Sequence, residues 1–166
     1  MNADLELIRE AALEAGELAL AHRRRGLKVE YKAGGSPVTD ADLAVDAFLK
    51  ARLRGARPDY AWLSEETSDN PVRLDAGLVW IVDPIDGTRA FMSGHPDWSI
   101  AVALLSAGQP VLGFVHAPVT DTFYEAIAGA GATRNGQTIT VSGQGAVEGA
   151  RVVVLLGLAT DDQDRL

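Results

Sequence analysis

Leu78-Val-Trp80-Ile-Val-Asp83-Pro-Ile-Asp86-Gly-Thr88-Arg-Ala-Phe91 begins as a continuous apolar run and ends in two carboxylates, a glycine and a hydroxyl. The run reads as a buried strand with its chemistry at the carboxyl end. Ligand sites in mixed α/β sheets commonly lie just beyond strand ends, on irregular backbone held by a rigid element. Two carboxylates three residues apart repel unless something positive lies between them, and hard oxygen ligands of this kind suit Mg²⁺ or Mn²⁺. Gly87 permits close backbone approach, and Thr88 is placed to cap a short helix whose free N–H groups would receive an anion. Asp-Pro and Asp-Gly are also ordinary turn dipeptides, so a plain turn explains either one taken alone. A calcium loop is excluded: with Asp83 as the first ligand, the third, fifth and twelfth positions fall on Ile85, Gly87 and Gly94.

Two upstream segments supply possible partners. Tyr60-Ala-Trp-Leu63 is a short strand running into Ser64-Glu65-Glu66-Thr67, a second strand with paired acids at its end. Two neighbouring strands feeding one cation site would show this repeat, although adjacent glutamates on a loop are usually surface charge. Ser36-Pro-Val-Thr39-Asp40-Ala-Asp42 starts a helix, in which Thr39 caps the N–H of Asp42 and Asp42 reaches back. Acidic residues in a first helical turn are stabilising there without any further role. Asp40, at a helix start and beside a hydroxyl, is also placed to orient a water or a second hydroxyl.

The remaining chain sets the frame. Leu5, Ile8, Ala12, Ala15 and Ala19 mark residues 4–25 as an amphipathic helix, with Arg23 to Arg25 a C-terminal charge cluster before Gly26. The second helix runs from the Thr39 cap to about Arg54. Leu27 to Lys32, Trp98 to Leu105, Val111 to His116, Thr122 to Ala126 and Gln137 to Val141 read as strands, the last entered through an Asn135-Gly136 hairpin turn. The fold class is α+β: two N-terminal helices packed on a mostly antiparallel sheet, with the start of an incomplete second α/β layer. Residues 1–142 form the domain with the candidate site; residues 143–166 form a linker and one further strand near Arg151 to Leu158. The net charge of −8 argues against a general nucleic-acid or anionic-membrane partner. The absence of cysteine rules out disulfides, thiolate metal sites and a thiol nucleophile. The N-terminus lacks a secretory pattern and the longest apolar run is too short to span a bilayer, so a cytoplasmic location is the expectation.

Thr39-Asp40-Ala-Asp42, Leu63-Ser-Glu65-Glu66-Thr67, Asp83-Pro-Ile-Asp86-Gly-Thr88 and Trp98-Ser-Ile-Ala, taken in this order, resemble the inositol monophosphatase family of metal-dependent, lithium-sensitive phosphatases. The resemblance implies an Mg²⁺-dependent (or Mn²⁺-dependent) homodimeric enzyme that hydrolyses a small phosphate monoester with a metal-activated water. Glu65, Asp83 and the Ile85 carbonyl would hold a first metal, and Asp83 with Asp86 a second. Asp40, Thr88 and Glu65 are then the catalytic candidates, with Asp40 and Thr88 orienting the water. The N–H groups of Gly87 and Thr88 would bind phosphate, Glu66 would support the metal ligands, and Lys32 with the Gly34-Gly35 loop would close over the site. Inositol monophosphate is the expected substrate class. Asp86-Gly-Thr-Arg89-Ala-Phe91 and Gly113-Phe-Val-His-Ala-Pro118 look more like bacterial bisphosphate nucleotidases and histidinol-phosphatase relatives, so those substrates stay open. The family's pattern continues with a Trp-Asp-x-Ala element in a second layer, whose Asp completes the second metal site. The chain stops before it, so it is expected to be a fragment or a shortened form that binds the second metal weakly and turns over slowly. The reading from another class is a non-catalytic Mg²⁺-binding or interaction module.

Overall fold

A computed structural model describes residues 2–151. The first helix, α1 (Asn2–Arg25), buries Leu5, Ile8, Ala11, Ala12, Ala15 and Ala19. That stripe is mostly alanine, which lets the helix axis lie close to its neighbours. A two-stranded antiparallel ribbon follows, β1 (Val29–Tyr31) and β2 (Pro37–Thr39). The second helix, α2 (Asp40–Ala56), packs beside α1 with Ala41, Val45, Leu49 and Leu53 inward. Its start follows the expected capping box: Thr39 Oγ1 accepts from the N–H groups of Ala41 and Asp42, and the Thr39 N–H donates to Asp42 Oδ2 at 2.8 Å.

The main sheet has seven strands in simple sequence order: β3 (Ala61–Ser64), β4 (Leu78–Asp86), β5 (Ser99–Ser106), β6 (Gln109–Ala117), β7 (Thr122–Ile127), β8 (Gly131–Arg134) and β9 (Gln137–Ile139). The β3–β4 pair is parallel and every later pair antiparallel. Alternation decides which face meets the helices: Trp80, Val82, Ile100, Val102, Leu104, Leu112 and Phe114 point into the core under α1 and α2. The architecture is therefore α+β, with helices layered on a mostly antiparallel sheet. Asn135 and Gly136 both take positive φ, 48° and 77°, and close the β8–β9 hairpin as their sequence requires.

Two features aim this scaffold. Parallel pairing of β3 with β4 matches Ser64 to Val82, so the two strands point the same way and β3 ends alongside the start of the acidic segment of β4. On its other edge β4 slips register against β5 between Asp83 and Asp86. Pro84 falls in that interval and has no N–H to give to a ladder. Strand positions three apart ordinarily face opposite sides of a sheet, and the extra residue resets that alternation.

The differences from expectation are local, among them an unexpected strand at Gly131–Arg134 and a short 3-10 helix at Pro71–Asp75. Pro37–Thr39 is a strand paired to Val29–Tyr31 before it becomes a helix entry. The strand expected at Gln137–Val141 ends at Ile139. A short helix, α3 (Thr88–Met92), does follow the motif, but its cap position is Gly87, in left-handed conformation, and no side chain caps it. Residues 143–149 carry no regular structure. The further strand expected near Arg151 to Leu158 lies outside the described residues apart from Arg151. Among the described residues no helix is long and apolar enough to cross a membrane.

Candidate active site

The acids gather where β3 ends against β4. The Glu65 N–H donates to Val82 O at 3.2 Å, which extends the ladder one step past Ser64 and sets Glu65 beside Asp83. Asp83 Oδ1 is buried and, among the described residues, has no hydrogen-bond partner. Burial comes first in pushing the Asp83 pKa up to about 7, followed by the negative charges of Glu65 and Asp86, a hydrogen-bond approach to Glu65, and Glu66. Asp83 thus sits near the carboxylate of Glu65 with no donor to its buried oxygen among the described residues. Such a pair needs a shared proton or a cation, and an all-oxygen donor set suits a hard divalent cation.

One cation of the protein already reaches this cluster. Lys32 Nζ donates to Glu65 Oε1 at 3.1 Å and to the better-buried Glu66 at 2.8 Å. Burial raises the Glu66 pKa and the Lys32 ammonium opposes the rise. Lys32 sits at the end of β1, so the ribbon lies over the acids, and Arg89 Nη2 donates to Gly35 O at 3.4 Å to tie the ribbon's loop to α3. Among the described residues no three His, Asp or Glu side chains form a closed ligand set. With Glu65 drawn to Lys32, the acids are adjacent and open. The partnerless buried oxygen of Asp83 is the feature that fits an ion; Asp83, Glu65, Asp86 and the Ile85 carbonyl are the groups that would hold it.

Beyond Asp86 the chain turns through Gly87, at φ 88° and ψ 39°. A Cβ there would lie 2.9 Å from Asp97 O and 3.3 Å from Trp98 Cα, so only glycine fits this turn. Thr88 Oγ1 lies 3.2 Å from both Asp42 Oδ1 and Ile85 O, to either of which it can donate. The expected Asp40–Thr88 couple is not formed. Asp40 faces the other way: its Oδ1 accepts the Lys28 N–H at 2.9 Å and its Oδ2 lies 3.3 Å from His22 Nδ1. The Lys28 N–H is the main reason its pKa is lowered, with His22 adding to it. Helix geometry explains the correction: residues two apart on a helix project about 200° apart, so only one of Asp40 and Asp42 can face β4. The capping box had accounted for Asp42 as a structural residue. It is that as well, since its Oδ2 also accepts from Thr39 Oγ1 at 2.5 Å.

Sequence reasoning also passed over Asp46 and Arg23. Asp46 accepts hydrogen bonds from Ser64 and Thr67, on either side of the two glutamates; its signal was the four-residue spacing from Asp42. Arg23, read as one of a run of terminal charges, lies 5.7 Å from the Phe91 ring centroid and 5.9 Å from that of Trp98, under α3. His95 remains an exposed loop residue, 3.2 Å from Asp97.

The chain has relatives among known proteins. A histidinol-phosphatase from Chlorobaculum parvum is 37% identical over 143 residues, covering 86% of this chain and 54% of that protein. A 3'(2'),5'-bisphosphate nucleotidase CysQ from Aggregatibacter actinomycetemcomitans is 37% identical over 133 residues, covering 79% of this chain and 49% of that protein. The solved structure of a Thermotoga maritima IMPase superposes with a TM-score of 0.77 at 33% identity, covering 86% of this chain and 55% of that one. The chain spans about half the length of the curated relatives it matches. The family model described as the inositol monophosphatase family matches residues 3–164, and with that match across nearly the whole sequence the chain belongs to the inositol monophosphatase family.

Proposed function

We propose that this chain carries the cation- and phosphate-handling site of an Mg²⁺-dependent (or Mn²⁺-dependent) phosphomonoesterase acting on a small phosphate ester. The observation that carries the reading is Asp83 Oδ1, buried and without a partner among the described residues, near Glu65 and Asp86 where β3 ends against β4. Asp83, Glu65, Asp86 and the Ile85 carbonyl would hold the metal. When bound, it neutralises charge on the phosphate and acidifies water. The protein's own share is positioning. Asp42 Oδ1 can take the hydrogen of Thr88 Oγ1, which leaves the Thr88 oxygen as an acceptor toward an attacking water and Asp42 as the place where its proton can go. The N–H groups of Gly87 and Thr88, at the left-handed turn after Asp86, would be the phosphate donors. Lys32, already on Glu65 and Glu66, brings a further positive charge to the edge of the site.

Inositol monophosphate is the first substrate to test. The names of the relatives favour histidinol phosphate and a nucleoside 3',5'-bisphosphate as the alternatives. Lithium sensitivity and a homodimer are carried over from the family resemblance alone, and a cytoplasmic setting from the sequence reading of the N-terminus and the apolar runs. The deciding experiment is phosphate release from these three substrates with Mg²⁺, for the wild-type chain, Asp83→Asn and Thr88→Ala. The expected result is release from at least one substrate that both substitutions reduce by about 10²-fold or more. Metal binding with no release from any of them would favour the non-catalytic module.

A further inference from the structure

Helix α2 presents a second carboxylate one turn beyond the one that meets Thr88. Asp46 is only 7% exposed and, among the described residues, pairs with no cation. Its Oδ1 accepts from Ser64 Oγ and its Oδ2 accepts from Thr67 Oγ1 at 2.6 Å. Ser64 Oγ in turn accepts the Glu66 N–H at 3.3 Å. The two hydroxyls bracket Glu65-Glu66, so one buried side chain fastens both ends of the turn that carries these acids. A buried carboxylate held only by neutral hydroxyls is costly, and its position calls for a reason beyond packing.

The reason lies in the charges around it. Glu65, Glu66 and Asp86 act on Asp83 as like charges, and Glu65 acts so on Glu66, a repulsion that favours tethering the backbone of the turn that bears two of them. Lys32 supplies one restraint, from just after the exposed strand β1. Asp46 supplies the other, from a helix packed in the core. We propose that Asp46 is a positioning residue: by clamping Ser64 and Thr67 it fixes the Glu65-Glu66 turn against Asp83 at the spacing a divalent cation requires. The proposal rests on reading this cluster as a divalent-cation site. The clamp works through hydrogen-bond geometry and not through charge, because asparagine can accept from one hydroxyl and donate to the other.

Mn²⁺ serves as the probe, with free Mn²⁺ followed by electron paramagnetic resonance in titrations of the full 166-residue chain. Asp46→Ala is expected to weaken Mn²⁺ binding by about 10-fold or more, in the range seen when groups behind metal ligands are removed. Asp46→Asn is expected to stay within about 3-fold of wild type, with Ser64→Ala and Thr67→Val in between. Leu53→Ala, a truncation in the buried face of α2 away from these contacts, is the control: it should lower Tm and leave Mn²⁺ affinity unchanged. Should Asp46→Ala fail to fold, the two hydroxyl variants carry the same test. Wild-type Mn²⁺ affinity in Ser64→Ala and Thr67→Val would overturn the clamp while leaving the cation site standing. Equal weakening in Asp46→Asn and Asp46→Ala would overturn it too, since charge would then be what matters. Failure of the wild-type chain to bind Mn²⁺ would sink the cation site and the clamp together.

Discussion

Asp40 and Asp42 are chemically the same group two positions apart, and the helix gives them different work. Asp42 is nearly fully buried and divides its oxygens between Thr39 and Thr88; Asp40 is partly exposed and holds Lys28 and His22. The expected kinetic consequence is asymmetric. In any form of the chain that releases phosphate, Asp42→Asn should lower the rate by about 10²-fold, as loss of a positioned proton acceptor does. Asp40→Asn should leave it within about 3-fold. Initial rates for the two variants, measured well below their melting temperatures, decide this. Equal losses would mean that Asp40 reaches the site after all.

At the scale of elements, two helical glycines make opposite demands. A Cβ at Gly16 in α1 would lie 2.8 Å from His116 Cε1 and 2.9 Å from Pro118 Cγ, where helix and sheet are in contact. Overpacking costs about 1–3 kcal/mol and outweighs the roughly 1 kcal/mol that alanine gains over glycine in a helix. Gly55 in α2 has nothing within 4 Å of the same position. Gly16→Ala should therefore destabilise the chain, and Gly55→Ala should stabilise it by about 0.5–1 kcal/mol. Urea midpoints at unchanged m-value measure both. The pair tests whether α1 is seated on β6 as closely as the structure has it.

At the scale of the molecule, stability depends on how the helical layer meets the sheet, and His116 lies in that join. Its Nδ1 is 3.2 Å from Ala12 O, and burial lowers its pKa despite that carbonyl and the carboxylates of Asp121 and Glu17. A histidine depressed in the fold is neutral there, while the unfolded chain takes up the proton first as pH falls. Its contribution to stability is thus complete above the ordinary value near 6.5 and is lost below it. Wild-type protein should lose more of its urea stability between pH 7 and pH 5 than His116→Asn does, and parallel losses would place the acid sensitivity elsewhere. The opposite face of the sheet carries small side chains, Ala101, Ala103, Gly113 and Ala126, lining a concavity of about 360 Å³.

The sequence by itself determined most of the elements and the acids that end up together. Strand ends announced by Asp83 and Glu65, a helix start written as Thr39 to Asp42, and an Asn135-Gly136 hairpin are local signals, each readable within a few residues because backbone preference and periodicity act over that range. Only the tertiary structure decided which of two aspartates meets Thr88, that Asp46 spans the Glu65-Glu66 turn, and that Arg23 runs beneath Phe91 and Trp98. These are contacts across 18 or more positions of chain, fixed by helix phase and by the parallel seating of β3 on β4, and no local pattern records the angle at which one element comes to rest on another.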